Sequence, residues 1–283
     1  MGRGVYGGGS RRRYERDNRR VSGYVDIHAH VLPGIDDGPS DLEGALAMLR
    51  AAAESGTTTI ASTPHLRSDY PDVHVNELAQ RCQALREEIA RAGIEISLVS
   101  GAEVSLVWAL EAGEDELKLA TYDQRGTDLL IETPSLNIAG LDRLLFELRV
   151  KGLRITLAHP ERNPEFQRDP SRLEDLVRQG VLLQPTAAAL IRSGRRSPST
   201  RLAQYLCAEG LAHALASDGH RAASWRAVTS LGAAEAEVGA FVGPERARWM
   251  THAGPAAILD GGPLPEPPPI IDRRRRRRLF GRA

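Results

Sequence analysis

Thiols, lysines and long apolar runs are all scarce in this chain. Two cysteines occur in 283 residues, Cys82 and Cys207. Both fall in helical patterns, which suits a reducing compartment and buried free thiols, not a disulfide framework. Lysine is almost absent, since Lys118 and Lys151 stand against 35 arginines. Neither follows a glycine, so the Gly-x4-Gly-Lys-Ser/Thr loop that cradles nucleotide phosphates is missing. No apolar run reaches the roughly 18 residues needed to cross a bilayer, and the Gly- and Arg-rich start lacks the hydrophobic block of a secretory signal. The expected location is the cytoplasm. A hydrophobic content of 41% over 283 residues supplies a sizeable core.

A formal net charge of zero conceals an uneven distribution. Residues 1–20 carry seven arginines against Glu15 and Asp17, and residues 270–283 carry seven more against Asp272. Of 37 basic and 37 acidic residues, 23 and 34 remain between these ends, a formal charge of −11. An acidic body binds polyanions poorly unless metal ions or local arginines invert its field. The arginine tails suit weak attachment to anionic membrane or another polyanion through counterion release, which would put the protein at the inner membrane face. They lack interleaved aromatics, so this binding is read as an addition to some other activity. Homo-oligomerisation is left open.

Residues 1–22, with Gly7-Gly8-Gly9-Ser10 among arginines, cannot bury enough surface to offset ordering entropy and read as a disordered extension. Short β-rich runs then alternate with helical patterns, which predicts a mostly parallel α/β domain over 23–262. The expected strands are Tyr24–His28, Thr58–Ser62, Ile96–Gly101, Asp128–Glu132, Arg154–Ala158, Val181–Gln184 and His213–Ser217. Helices are expected at 41–55, 75–92, 105–119, 139–151, 170–179 and 197–209, and again through 224–260, where Pro244 and Pro255 suit first turns. Residues 263–283 read as a Pro-rich and then Arg-rich disordered tail.

The most informative stretch is Val25-Asp26-Ile27-His28-Ala29-His30. Side chains of a strand repeat every two residues, so both imidazoles aim at one point where the strand gives way to Leu32-Pro33-Gly34. A lone histidine there would read as a core residue; a His-x-His pair at a strand end reads better as half a metal site. The other strands repeat the pattern. His65 follows the second, Glu103 the third, Glu132 ends the fourth, His159 follows the fifth, and Asp218 and His220 follow the seventh. In a barrel these ends converge on one mouth. A cluster of imidazoles and carboxylates in a poorly solvated place is costly alone and satisfied by divalent cations, so a multinuclear site is expected. His74, His213 and His252 fall outside the pattern and read as structural or surface residues.

His28 through Gly38, with Thr63-Pro64-His65, Gly101-Ala102-Glu103, Ala158-His159-Pro160-Glu161-Arg162 and Ser217-Asp218-Gly219-His220, resembles the PHP (polymerase and histidinol phosphatase) superfamily. Within it the likeness is to the bacterial protein tyrosine phosphatases of capsule and exopolysaccharide operons, the CpsB/YwqE type. The resemblance covers residues 24–220 and implies a distorted (β/α)7 TIM-like barrel holding three divalent metals, most often Mn2+, with Fe, Zn or Mg as alternatives. It implies that His28, His30, Glu103 and Asp218 hold one metal, and that Glu103 bridges to a second held by His65 and His159. Glu132 and His220, with Asp37, would complete the third position. Arg162 matches an arginine that binds substrate phosphate, and Arg221 or Arg226 would supply a second contact. The implied substrate is phosphotyrosine on a bacterial tyrosine kinase of polysaccharide export; histidinol phosphate or another small phosphomonoester is the alternative.

Rival mechanisms find no residues. A cysteine-based phosphatase needs Cys-x5-Arg, but Glu88 and His213 stand six residues after Cys82 and Cys207. Amidohydrolases commonly bridge their metals with a carboxylated lysine at a strand end, whereas Lys118 and Lys151 fall in helical patterns. Clustered cations would lower the pKa of a bridging water and, with Arg162, neutralise the phosphoryl oxygens, so no covalent intermediate is required.

Overall fold

The structure is a computed structural model, and it describes residues 23–136, 139–191, 197–223 and 226–271. The expected disordered extension 1–22 and the arginine run 273–278 lie outside the described residues. No helix among the described residues is long and apolar enough to cross a membrane.

Parallel strands form two sheets. The first, of three strands, orders β1 (Tyr24–Ala29), β2 (Thr57–Ser62) and β4 (Ser97–Ser100). The second, of five, orders β3 (His65–Leu66), β5 (Glu103–Val104), β6 (Asp128–Glu132), β7 (Arg154–Ala158) and β8 (Leu182–Gln184). β3 and β5 each follow a strand of the first sheet after two residues, so chain continuity links the sheets at Thr63-Pro64 and Gly101-Ala102. Pro64 has no N–H to give a ladder, but its carbonyl accepts from Glu103 N at 3.0 Å.

The seventh expected strand is not a regular one. Residues 212–219 make isolated parallel bridges, Leu183↔Ala212 and Thr186↔Ala216 on one side and Ala29↔Gly219 on the other. Two donors in the run are spent elsewhere: Leu215 N bonds Met250 O at 2.8 Å and Ser217 N bonds Asp26 Oδ1 at 3.0 Å. The seven-membered circuit is therefore completed by single bridges and no continuous ladder closes it.

Apolar residues divide into two layers. Val25, Ile27, Ala61, Leu130, Ala158, Leu182, Ala214 and Ala216 fill the interior, with Tyr122, Ile258 and Leu259 packed among them. Gly101 makes room for that tyrosine, since a Cβ there would sit 2.8 Å from Tyr122 Cδ1. The larger layer lies between strands and helices and includes Leu49, Ile60, Leu85, Ile131, Leu145, Leu157, Phe166 and Trp249.

The helices keep the expected order with local differences. α1 (Leu42–Glu54) starts at Asp41, whose side chain accepts from Gly44 N, and α2 is Leu78–Arg91. The expected helix 105–119 is two, α3 (Leu106–Glu111) and α4 (Glu114–Ala120), broken at Gly113. α5 (Leu141–Val150), α6 (Pro164–Arg168), α7 (Ser171–Arg178), α8 (Ala187–Ile191) and α9 (Pro198–Ala208) follow. The last helical region is α10 (Leu231–Val242), α11 (Pro244–Thr251) and α12 (Ala253–Leu259), with Pro244 and Pro255 in first turns.

The Pro-rich stretch that composition assigns to the tail lies, through residue 271, against the domain. Pro268 O accepts from Arg246 Nη1 at 3.3 Å and Ile271 N bonds Val242 O at 3.2 Å. Proline loses little backbone freedom on ordering, so few contacts are needed to hold such a run.

Candidate metal centre

All eight strand-end residues gather at one end of the circuit. Glu103, fully buried on β5, is their centre: Oε1 lies 2.6 Å from His159 Nε2, and Oε2 lies 3.0 Å from His65 Nδ1, 3.3 Å from His28 Nε2 and 3.4 Å from His30 Nε2. Asp218 Oδ1 faces the same pair, 3.5 Å from His28 Nε2 and 3.6 Å from His30 Nε2. Asp37 Oδ1 stands 2.9 Å from His220 Nε2 and 3.5 Å from His65 Nε2.

The donor atoms fall into three overlapping groups among the described residues: His28, His30 and Glu103; His65, Glu103 and Glu132; and His30, Asp37, His65 and His220. Glu132 thus lies with His65 and Glu103, whereas the resemblance paired it with Asp37 and His220. The reason is that β6 is next to β5 in the sheet, on the side away from the loop carrying Asp37. Glu132 Oε1 also accepts from Arg67 Nη1 at 2.9 Å.

Backbone geometry aims the groups. His159 and Asp218 adopt left-handed conformations, φ +35° and +49°, which non-glycine residues hold only where surrounding contacts fix them. His159 N bonds Gln184 O at 2.8 Å and Asp218 N bonds His28 O at 2.9 Å, so each residue is tied to its neighbour strand.

Outer partners fix the imidazoles, and sequence reasoning missed most of them. Gln184, ending β8, places Oε1 2.9 Å from His28 Nδ1. Asp36 Oδ2 lies 2.7 Å from His30 Nδ1, and the same carboxylate accepts from His65 N at 3.2 Å and Gly38 N at 3.0 Å. The Tyr70 ring stacks on His65, centroids 5.2 Å apart and 5° from parallel. An Asp beside Asp37 and a polar residue at the sixth strand end were the available signals.

The electrostatics of the cluster follow from this packing. Burial disfavours the imidazolium of His30, but the Asp36 and Glu103 carboxylates override it and raise the group to about 10. His65 is likewise raised to about 9, with Asp37 and Glu103 outweighing its burial. His159 goes the other way, to about 4, because burial and the neighbouring Arg162 both oppose its charge. Burial opposes ionisation of Glu103, yet His28 and His159 hold it well below the carboxylate range.

Arg162 ends a 3-10 turn, Pro160–Arg162, in the connection between β7 and α6. It donates to Asp218 Oδ2 and, at 3.3 Å, to Thr186 Oγ1. Asn163 is a helix cap, accepting from Glu165 N at 2.7 Å and Phe166 N at 3.2 Å. Of the two arginines left open after His220, Arg226 reaches the site, with Nη1 3.2 Å from Asp37 Oδ2 and Nη2 3.0 Å from Asp218 Oδ1. Arg221 is exposed. His74 is exposed, and His252 is buried against Tyr24. Nδ1 of His213 accepts from Leu183 N at 3.2 Å, which makes it a structural partner of β8.

Four donor atoms test whether cations fit. Asp37 Oδ1, His65 Nδ1, Glu103 Oε2 and His220 Nε2 are buried without a well-aligned hydrogen bond, although opposite charges lie within 4 Å of each. Buried polar atoms are ordinarily satisfied; the donor groups these residues belong to have their ligand atoms within 4.8 Å of one another, close enough to share divalent cations.

The chain is similar to known proteins. The chain is 31% identical over 203 residues to the tyrosine-protein phosphatase YwqE of Bacillus subtilis, covering 69% of this chain and 77% of that protein. It is also 31% identical over 204 residues to the putative tyrosine-protein phosphatase CapC of Staphylococcus aureus, covering 69% and 76%. The crystal structures of YwqE from B. subtilis and CpsB from Streptococcus pneumoniae, described as unique metal-dependent tyrosine phosphatases, include a match with TM-score 0.74 and 27% identity over 88% of this chain and 100% of that one. The family model for capsular polysaccharide synthesis proteins CpsB/CapC matches residues 24–260, a span that holds both sheets and every donor of the cluster, and the chain belongs to that family.

Proposed function

We propose that this protein hydrolyses phosphotyrosine on a protein substrate, with three divalent cations held by the buried cluster. The four misaligned donor atoms carry the reading, and the names of the relatives support it over a small-molecule phosphatase. His28, His30, Glu103 and Asp218 would hold one cation, and His65, His159, Glu103 and Glu132 a second. Asp37 and His220, beside His30 and His65, would hold a third. Manganese suits this mixed imidazole and carboxylate set, as do iron and zinc.

When bound, such cations supply Lewis acidity and make a coordinated water acidic near neutral pH. The chain's own residues do the rest. Arg162 and Arg226 approach Asp218 from two sides, so their guanidinium forks flank the space where phosphoryl oxygens would lie and neutralise charge there. Gln184 and Asp36 keep His28 and His30 oriented by their outer ring nitrogens. A phenolate leaving group, pKa about 10, departs more readily than an alkoxide, so a phosphotyrosine asks less of a general acid than a phosphoserine does. A phosphotyrosine-bearing kinase of polysaccharide export is the substrate that the capsular family suggests.

The test combines elemental analysis of the purified protein with rates on a phosphotyrosine peptide and on histidinol phosphate. The expected outcome is a chelator-sensitive preference for the peptide. A preference for histidinol phosphate, or full activity in metal-free protein, would overturn the reading.

A further inference from the structure

A cavity of about 330 Å³ is lined by Val73, His74, Asn76, Trp108, Glu116 and neighbouring residues, on the two segments that follow His65 and Glu103. Both walls are anchored on the site. On one side, Tyr70 stacks on His65, Tyr70 N bonds Arg67 O at 3.0 Å and Val73 N bonds Tyr70 O at 3.1 Å, so a string of tight turns runs from the metal donor to the cavity. On the other, Ser105 follows β5, bonds Leu66 O through its N–H at 3.1 Å and accepts from Trp108 N at 3.3 Å, capping α3, which starts three residues after Glu103.

The lining suits part of a polypeptide. Val73 and Val75 are buried, Trp108 is half-buried and His74 and Glu116 are exposed, so apolar and polar groups share the lining, as a pocket for an amphipathic segment requires. Its charged groups are acidic: Glu116 lines it, and the exposed Asp72 precedes Val73 in the chain, while Glu77 is paired with Arg81. Arg67 is already paired with Asp69 and Glu132.

We infer that this cavity is a substrate subsite, taking an apolar side chain of the polypeptide a few residues from the phosphotyrosine, with basic residues beside it facing the acidic rim. The inference rests on the phosphatase reading and extends it from the phosphoryl group to the sequence around it. The cations and Arg162 serve the phosphate of any aryl ester, whereas the Trp108 pocket distinguishes one phosphopeptide from another.

The experiment compares kcat/KM for phosphotyrosine peptides whose flanks carry Leu and Arg with peptides carrying Gly and Asp, using p-nitrophenyl phosphate as the small reference substrate. The wild-type protein should favour the Leu/Arg flanks about tenfold, mainly through KM. Trp108→Ala should lower peptide kcat/KM about tenfold more than it lowers that for p-nitrophenyl phosphate, and Asp72→Asn, an exposed change beside Val73, should weaken the preference for arginine. His74→Ala, also exposed, keeps the test open should Trp108→Ala fail to fold. A wild-type enzyme that hydrolyses all the peptides equally, or a flank preference that survives Trp108→Ala and His74→Ala, would refute the subsite and leave the phosphatase reading intact. Turnover of p-nitrophenyl phosphate without turnover of any phosphotyrosine peptide would refute the reading that phosphotyrosine on a polypeptide is the substrate, and the subsite with it.

Discussion

Glu103→Gln should remove more metal than any other single carboxylate change at the centre. Glu103 belongs to two of the three donor groups, and Glu132 to one. Its two oxygens face four imidazoles between 2.6 and 3.4 Å. Glutamine keeps the shape and one acceptor but loses the charge. A unit charge about 3 Å from another is worth roughly 5 kcal/mol at an effective dielectric near 20, before desolvation. A bridging carboxylate offsets repulsion between two cations as well as attracting each. Losses of even an outer partner of a metal ligand run about 10–100-fold. The bridging change should therefore cost at least about 100-fold in affinity at each of two positions, close to 3 kcal/mol apiece.

Elemental analysis after dialysis against a fixed low metal concentration reads this directly. Glu103→Gln should lose more than one equivalent relative to wild type, and Glu132→Gln at most one. Circular dichroism and thermal melting in the presence of chelator separate metal loss from unfolding. Wild-type stoichiometry in a folded Glu103→Gln protein would refute the bridge and place the shared ligand elsewhere.

Arg162→Ala should lower kcat/KM for aryl phosphates about 100-fold, the scale of one lost charged contact in a transition state, with metal content unchanged; Arg162→Lys should recover little, because the planar fork is lost. Unchanged kinetics there, with the loss appearing in Arg226→Ala, would move the phosphate clamp to the seventh strand's loop. Iodoacetamide should leave both cysteines of the native protein unmodified by intact mass, since burial raises the Cys82 thiol to about 11 and the Cys207 thiol further, and activity should persist. Gly219→Ala should destabilise the fold by about 1–3 kcal/mol in urea titration, because its Cβ would lie 2.4 Å from Val228 Cγ1 and 3.0 Å from Val228 Cα.

The strand ends were legible because each short apolar run stops on a polar residue whose chemistry a buried strand cannot otherwise tolerate. Asp128–Glu132 and Arg154–Ala158 are the strands the sequence predicts. Gln184 was not legible as a partner of His28, since glutamine at a strand end has many uses and only the pairing of β7 with β8 brings it to that imidazole. The grouping of Glu132 with Glu103 depends on strand order, which no local pattern encodes. The irregular seventh strand follows from competition for its N–H groups by Met250 O and Asp26, one 35 residues ahead of Leu215 and the other 191 residues behind Ser217.

β1 shows where the period-two argument falls short. Strict alternation would put Val25, Ile27 and Ala29 on one face and Asp26, His28 and His30 on the other. Yet Val25 and Ile27 lie in the inner layer while Ala29 lies in the outer one. The register explains it: Asp26 pairs with Ile60 and Ala29 with Ser62, three steps on β1 against two on β2. One extra residue swaps the faces of a strand, so the apolar residues fill the interior below the slip and both histidines face the mouth above it. Asp26 fixes the slip, accepting from His28 N at 3.2 Å and Ser217 N at 3.0 Å through one oxygen. Its own burial raises that carboxyl to about 6 against those hydrogen bonds. The pair His28 and His30 could be read as sharing a face from spacing alone; that this face is also the one lined by Val25 and Ile27 requires the bulge, and the bulge requires an aspartate reached only across the closing strand.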